Sequence, residues 1–220
     1  MHQVRVWDLP TRVFHGLLVL MFAGLLASGE WGGDAMAWHF RLGYGVLVLL
    51  LFRLLWGIVG GRWSRFAFIV KGPAAVVRYI RGEVSVAPVL GHNPLGGYSV
   101  LAFLTLLFAQ VVSGLFSDDE IATAGPFARL GNAQWVSWAS EYHTAIGKVL
   151  LIGLVGLHLL ALVFHWWRGQ RALVPAMWHG LKDSTINVES VRDDALSRVG
   201  ALLCLSLCVA AVAGLLNWVG

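Results

Sequence analysis

The 220-residue chain is 58% apolar and only 13% charged, with a formal charge of +4. That charged share is about half of what a soluble domain carries, and with a mean hydropathy of +0.72 it excludes a water-soluble globule in favour of a polytopic membrane protein. Cys204 and Cys208, one helical turn apart in an apolar run, exclude a disulfide scaffold, a CxxC redox pair and a CxxCH attachment site, and are expected to pack as small hydrophobes.

No cleavable signal peptide is expected, because the first apolar run begins only after Arg5, Asp8 and Arg12. Five stretches are long enough, at roughly twenty residues each, to cross a hydrocarbon layer. They fall at about 12–30, 38–60, 98–117, 140–167 and 197–219. The connections at 31–37, 61–97, 118–139 and 168–196 carry the prolines, most of the charges and the Asn93-Pro94 pair. Within the second, GPAAVVRYIRGE at 72–83 suits either a short interfacial helix or a loop folded against the spans.

Orientation follows from the basic residues, which are retained on the cytoplasmic side. Arg5 and Arg12 precede span one; Arg62, Arg65, Lys71, Arg78 and Arg81 follow span two; Arg168, Arg171, Lys182, Arg192 and Arg198 follow the fourth. The opposite loops hold only Arg129, with Glu30, Asp34, Asp118, Asp119 and Glu120. The N-terminus is therefore expected in the cytoplasm and the C-terminus on the other side. The basic excess is a topological signal with no aromatic-basic surface motif, so nucleic acid is not an expected partner.

Five of the eight histidines, His15, His39, His143, His158 and His165, fall within apolar spans, where a polar ring must find a partner. His15 lies about one turn inside span one and His39 near the opposite end of span two. His143 and His158 are separated by a helical rise of about 22 Å, with directions about 60° apart. Depth thus groups His39 with His143, and His15 with His158 or His165. Two imidazoles from different helices suit one iron in an apolar macrocycle, and with both axial positions filled such a centre carries electrons. Without CxxCH, the cofactor expected is a non-covalent b-type haem, two per chain.

Arg53, fourteen residues after His39 and about 21 Å along the same helix face, requires an anion. No Asp or Glu lies inside a span at that depth, so a haem propionate is the expected partner; Arg12 can serve a propionate or reach headgroups. Arg41 has the same choice beside His39. His165 reads first as an interfacial ring and second as a replacement for His158. His2, His92 and His179 are expected to be solvated, and Lys148 to snorkel to the outer surface. Gln110, Ser113, Gly114 and Ser117 read as small-residue packing rather than a quinone site. Tryptophans such as Trp7, Trp31, Trp38, Trp135, Trp166 and Trp167 read as an interfacial belt.

Together, VWDLPTRVFHGLL around His15, WHFRLGYGVLVLLLFRLLWG with His39 and Arg53, GHNPLGG, and EYHTAIGKVLLIGLVGLHLLALVFH with His143 and His158 resemble the prokaryotic cytochrome b561 family. That family includes b-type cytochrome subunits of nickel-iron hydrogenases. The resemblance covers about residues 4–182 and implies an all-α membrane protein, a four-helix haem-binding bundle, with axial ligands His15, His39, His143 and His158. It also implies electron exchange between quinone and a redox partner, such as a hydrogenase or a periplasmic cytochrome, in the bacterial cytoplasmic membrane. The spacing from His143 to His158 is about one residue longer than the family pattern, which keeps His165 as an alternative to His158. Residues 183–220 add a cytoplasmic linker and a fifth span, without histidine, expected to pack against the bundle or a partner. The competing readings are a stand-alone superoxide-to-quinone oxidoreductase and a haem-free membrane anchor subunit.

Overall fold

The computed structural model describes residues 2–83, 90–121, 123–184 and 188–219; the parts of the connections at 84–89, 122 and 185–187 lie outside the described residues. In chain order the elements are β1 (His2–Arg5), α1 (Leu9–Trp31), α2 (Met36–Val59), α3 (Phe66–Ile69), α4 (Pro73–Ile80), α5 (Pro94–Phe116) and α6 (Ala133–Glu141). A π-helical turn (Tyr142–Ile146) then leads into α7 (Gly147–Trp167), α8 (Leu173–His179), β2 (Leu181–Ser184) and α9 (Ala195–Val219). Among the described residues five helical stretches are long and apolar enough to span a membrane: Leu9–Trp31, Gly33–Val59, Pro94–Phe116, Ala133–Trp167 and Ala195–Val219. The expected spans are therefore present, and 73–80 of the second connection is a helix.

Side chains that accept from exposed first-turn amides set the helix starts. Asp8 accepts from the Thr11 amide at 2.9 Å, Asn93 from Gly96 at 2.6 Å, Asn132 from Trp135 at 2.8 Å and Asp194 from Ser197 at 2.8 Å. Pro73 and Pro94 occupy first helical positions, where their missing N–H costs nothing. Gly180 ends α8 with φ at 82°, a left-handed conformation that favours glycine.

The chain divides into two compact units. Unit 1 comprises Met1–His15, Arg53–Ala102 and His158–Cys204. Here β1 pairs antiparallel with β2, from His2 opposite Ser184 to Arg5 opposite Leu181, a pairing outside the all-helical expectation. Val4, Val6, Trp7, Leu90 and Ala176 form the core, so Trp7 is interior rather than part of an interfacial belt. Beside this core the fully buried Asp8 carboxylate also accepts from Trp56 Nε1 and Ser64 Oγ, both at 3.1 Å. Asp193, 4% exposed, pairs with Arg5 at 3.2 Å and Arg198 at 3.1 Å, and accepts from the Leu9 amide. The segment after β2 is thus tied to the start of α1.

Unit 2 comprises Gly16–Phe52, Phe103–Leu157 and Leu205–Gly220. One buried cluster joins Leu47 of α2, Leu115 of α5, Phe127, and Val212 and Val219 of α9, so this part of the fifth span packs against the other helices. A second joins Val46, Leu50, Leu107 and Leu151. Close packing of α1 on α2 depends on absent side chains: a Cβ at Gly24 would stand 2.8 Å from Leu42 Cδ1. Lys148 forms an ion pair with Glu30 instead of only reaching the surface. Neither cysteine is in a disulfide, and Cys208 is buried.

Removing the Asp8 carboxylate leaves two buried donors and a helix-start amide without an acceptor. Asp8→Ala is expected to destabilise the protein by about 2–4 kcal/mol and Asp8→Asn by less, read from thermal unfolding in detergent. Equal midpoints for Asp8→Ala and wild type would contradict this account.

Candidate functional site

In unit 2 two histidines from different helices face each other. His39 of α2 and His143 of the π-helical turn have ring centroids 5.9 Å apart and planes at 84°. The His39 Nδ1 donates to the Leu25 carbonyl at 3.1 Å, with Ser28 Oγ 3.3 Å away. The His143 Nδ1 donates to the Gln110 carbonyl at 2.8 Å. A carbonyl only accepts, so in each ring Nδ1 carries the proton and Nε2 keeps its lone pair. Small residues admit the rings: a Cβ at Gly29 would lie 3.3 Å from the His39 ring, and one at Gly114 only 2.6 Å from the His143 ring.

The π-helical turn gives a physical reason for the long spacing between His143 and His158. A π turn holds one more residue than the α turn it replaces, so the extra residue is taken up locally at His143.

Unit 1 holds His15 of α1 and His158 of α7 within electrostatic reach of one another. His165 packs its ring on Phe164 at 5.7 Å. Arg53 is 3% exposed, and its guanidinium lies 4.9 Å above the Phe66 ring, which the absence of a side chain at Gly57 admits. Asp8, at the start of α1, lies within electrostatic reach of it, although no ion pair forms between the two and Nη1 is buried without a hydrogen-bond partner. Arg12 donates to the Trp178 carbonyl at 2.7 Å and lies 3.9 Å from Asp193, while its Nε is also unpartnered. Arg41 lies over Trp38.

His92 corrects the sequence reading. His2 and His179 are exposed as expected, but His92 packs edge-on against Trp7 at 4.8 Å and has a buried, unpartnered Nδ1. Burial, then the charges of Arg53, Lys182 and His158, push its pKa down to about 4, so the ring is neutral at neutral pH. Gln110 was also undervalued, since its side chain bonds across helices rather than serving as inert packing. The available signal for Gln110 was a lone amide in an apolar span.

Among the described residues no group of three or more His, Cys, Asp or Glu could hold a metal ion. A protein that supplies only two axial imidazoles does not need one, because a porphyrin supplies the remaining ligands.

The family model for prokaryotic cytochrome b561 matches residues 6–180. The chain belongs to that family. Curated relatives include the probable Ni/Fe-hydrogenase 1 B-type cytochrome subunits of Escherichia coli K12 and Escherichia coli O157:H7. Each is 26% identical over 151 residues, with 56% of this chain and 64% of the relative covered. The chain thus spans slightly under two thirds of these relatives. No solved structure matches.

Membership of the cytochrome b561 family and five spans make this a multi-pass membrane protein of a cytochrome family, and a b-type haem is the group its residues have to fit. The residues fit that group. Metal–nitrogen bonds of about 2 Å place the centroids of two axial imidazoles about 6 Å apart, which the His39–His143 separation matches. In unit 1 the unpartnered buried N–H groups of Arg12, Arg53, Trp63 and Arg65 supply donors of the kind that cofactor carboxylates accept from.

The tight seat of His143 makes Gly114→Ala costly, by about 1–3 kcal/mol, through overpacking. Gly156→Ala, whose Cβ would meet nothing within 4 Å, is expected to be neutral. Thermal unfolding of the two variants in detergent checks the contrast.

Proposed function

We propose that the protein is a di-haem b membrane cytochrome that carries electrons between the quinone pool and a redox partner protein. The observation that carries this reading is the His39–His143 pair, two imidazoles on separate helices with both Nδ1 protons given to carbonyls and both Nε2 lone pairs left for a metal. When bound, each haem b supplies a one-electron iron couple. His39 and His143 ligate one centre, His15 and His158 the other, and Arg53 and Arg12 receive propionates of the second. The electrostatic coupling of His15 to His158 favours His158 over His165 as the fourth ligand.

The proposed orientation keeps the N-terminus in the cytoplasm of a bacterium's inner membrane, with one centre toward each surface. The partner class is suggested by the relatives, named as probable cytochrome subunits of a Ni/Fe-hydrogenase. The protein's residues fix the ligand rings, neutralise the propionates and exclude water, which together set the potentials.

Liposomes containing the protein, with ferricyanide trapped inside and reduced quinone supplied in the membrane, test the conduit. Protein-dependent reduction of the trapped ferricyanide is expected, and it should fall at least tenfold in His39→Ala and in His158→Ala but not in His165→Ala. Retained reduction in His39→Ala and His158→Ala, with haem stoichiometry unchanged, would overturn the ligand assignment.

A further inference from the structure

The π-helical turn that carries His143 is held by one residue of the neighbouring helix. Gln110 of α5 contacts His143 twice: its main-chain carbonyl accepts from the ring Nδ1 at 2.8 Å, and its side-chain Nε2 donates to the His143 carbonyl at 2.8 Å. These bonds join the same two residues in opposite senses, so neither the ring nor the backbone of His143 can rotate without breaking one. The π turn makes the second bond useful, because widening the helix disturbs the ordinary carbonyl partners at this point.

The surrounding packing leaves the amide little freedom. A Cβ on Gly147 would stand 2.0 Å from Gln110 Oε1 and 2.7 Å from the Tyr142 ring, so glycine at the start of α7 is what admits the side chain. One turn further along α5, Gly114 lies against the His143 ring itself. The Oε1 atom is buried without a hydrogen-bond partner, so only the NH2 end of the amide is bonded. Simple helix packing would be served by an apolar side chain.

We infer that Gln110 is a positioning residue that fixes the plane of the His143 imidazole, holding it nearly perpendicular to His39. This rests on the reading of these two histidines as axial ligands. Two axial imidazoles at 84° act on different π-type d orbitals of the iron and leave these orbitals close in energy. A ferric low-spin centre of that kind has a strongly anisotropic electron paramagnetic resonance spectrum dominated by one low-field feature. Rings nearer parallel separate the orbitals and give three resolved lines. A proton held on Nδ1 by a carbonyl also makes the ligand more basic, which favours the ferric state and lowers the potential.

The test uses purified protein whose haem content is measured by pyridine haemochrome, with resonance spectra and redox titrations of wild type, Gln110→Met and Gly147→Ala. Gln110→Met removes the donor while keeping the length, and Gly147→Ala displaces the amide from the opposite helix, its Cβ meeting the Tyr142 ring rather than either imidazole. Wild type is expected to show the strongly anisotropic feature. In both variants that feature should move toward the three-line form, and one midpoint potential should shift while the other stays. A wild type without haem would overturn the ligand reading and this role with it. Variants that are fully loaded and unchanged in spectrum and potentials would overturn the role of Gln110 alone.

Discussion

An imidazole inside an apolar span has one proton to place, and water is not there to receive it. Much of the arrangement around His39 and His143 follows from that constraint. Each ring gives its Nδ1 proton to a main-chain carbonyl, Leu25 in one case and Gln110 in the other. The same bonds that make burial tolerable therefore turn a metal-binding lone pair outward on each ring. Glycines at 29 and 114 let the rings approach close enough for those bonds to form. On the proposed reading, stabilisation and preparation for a metal are one set of contacts.

Unit 1 meets a different constraint, that of burying charge. Asp8 is fully buried and satisfied by an amide, an indole and a hydroxyl, and Asp193 is held among Arg5, Arg12 and Arg198. Arg53 has no such complete partner. Its unpartnered Nη1, with Trp63 Nε1 and Arg65 Nε, marks an excess of buried donors in this unit. An excess of this kind is costly in an apolar surrounding unless an acceptor arrives with the cofactor.

The spans were legible because their length and hydropathy leave few alternatives, and the observed helices match the expected ones closely except the fourth, which begins at Ala133 rather than about 140. Histidine depth was legible for the same reason: helical rise converts sequence distance to position. What the sequence concealed depended on local geometry or on distant chain segments. The π turn is a one-residue change in winding, detectable only as an odd spacing after His143. The burial of His92 involves Trp7, about 85 residues earlier, and the pairing of β1 with β2 joins residues about 180 apart. Nothing in the local sequence marks Asp8 as buried, and only the fold brings Trp56 and Ser64 to it.

The central claim is that four intramembrane histidines hold two b haems. Its most direct test is the absorption spectrum of detergent-purified protein, oxidised and then reduced with dithionite, with haem counted per chain. The account predicts two non-covalent haems, both six-coordinate and low-spin. A single haem would break one of the pairs, and a well-folded protein with none would contradict the account.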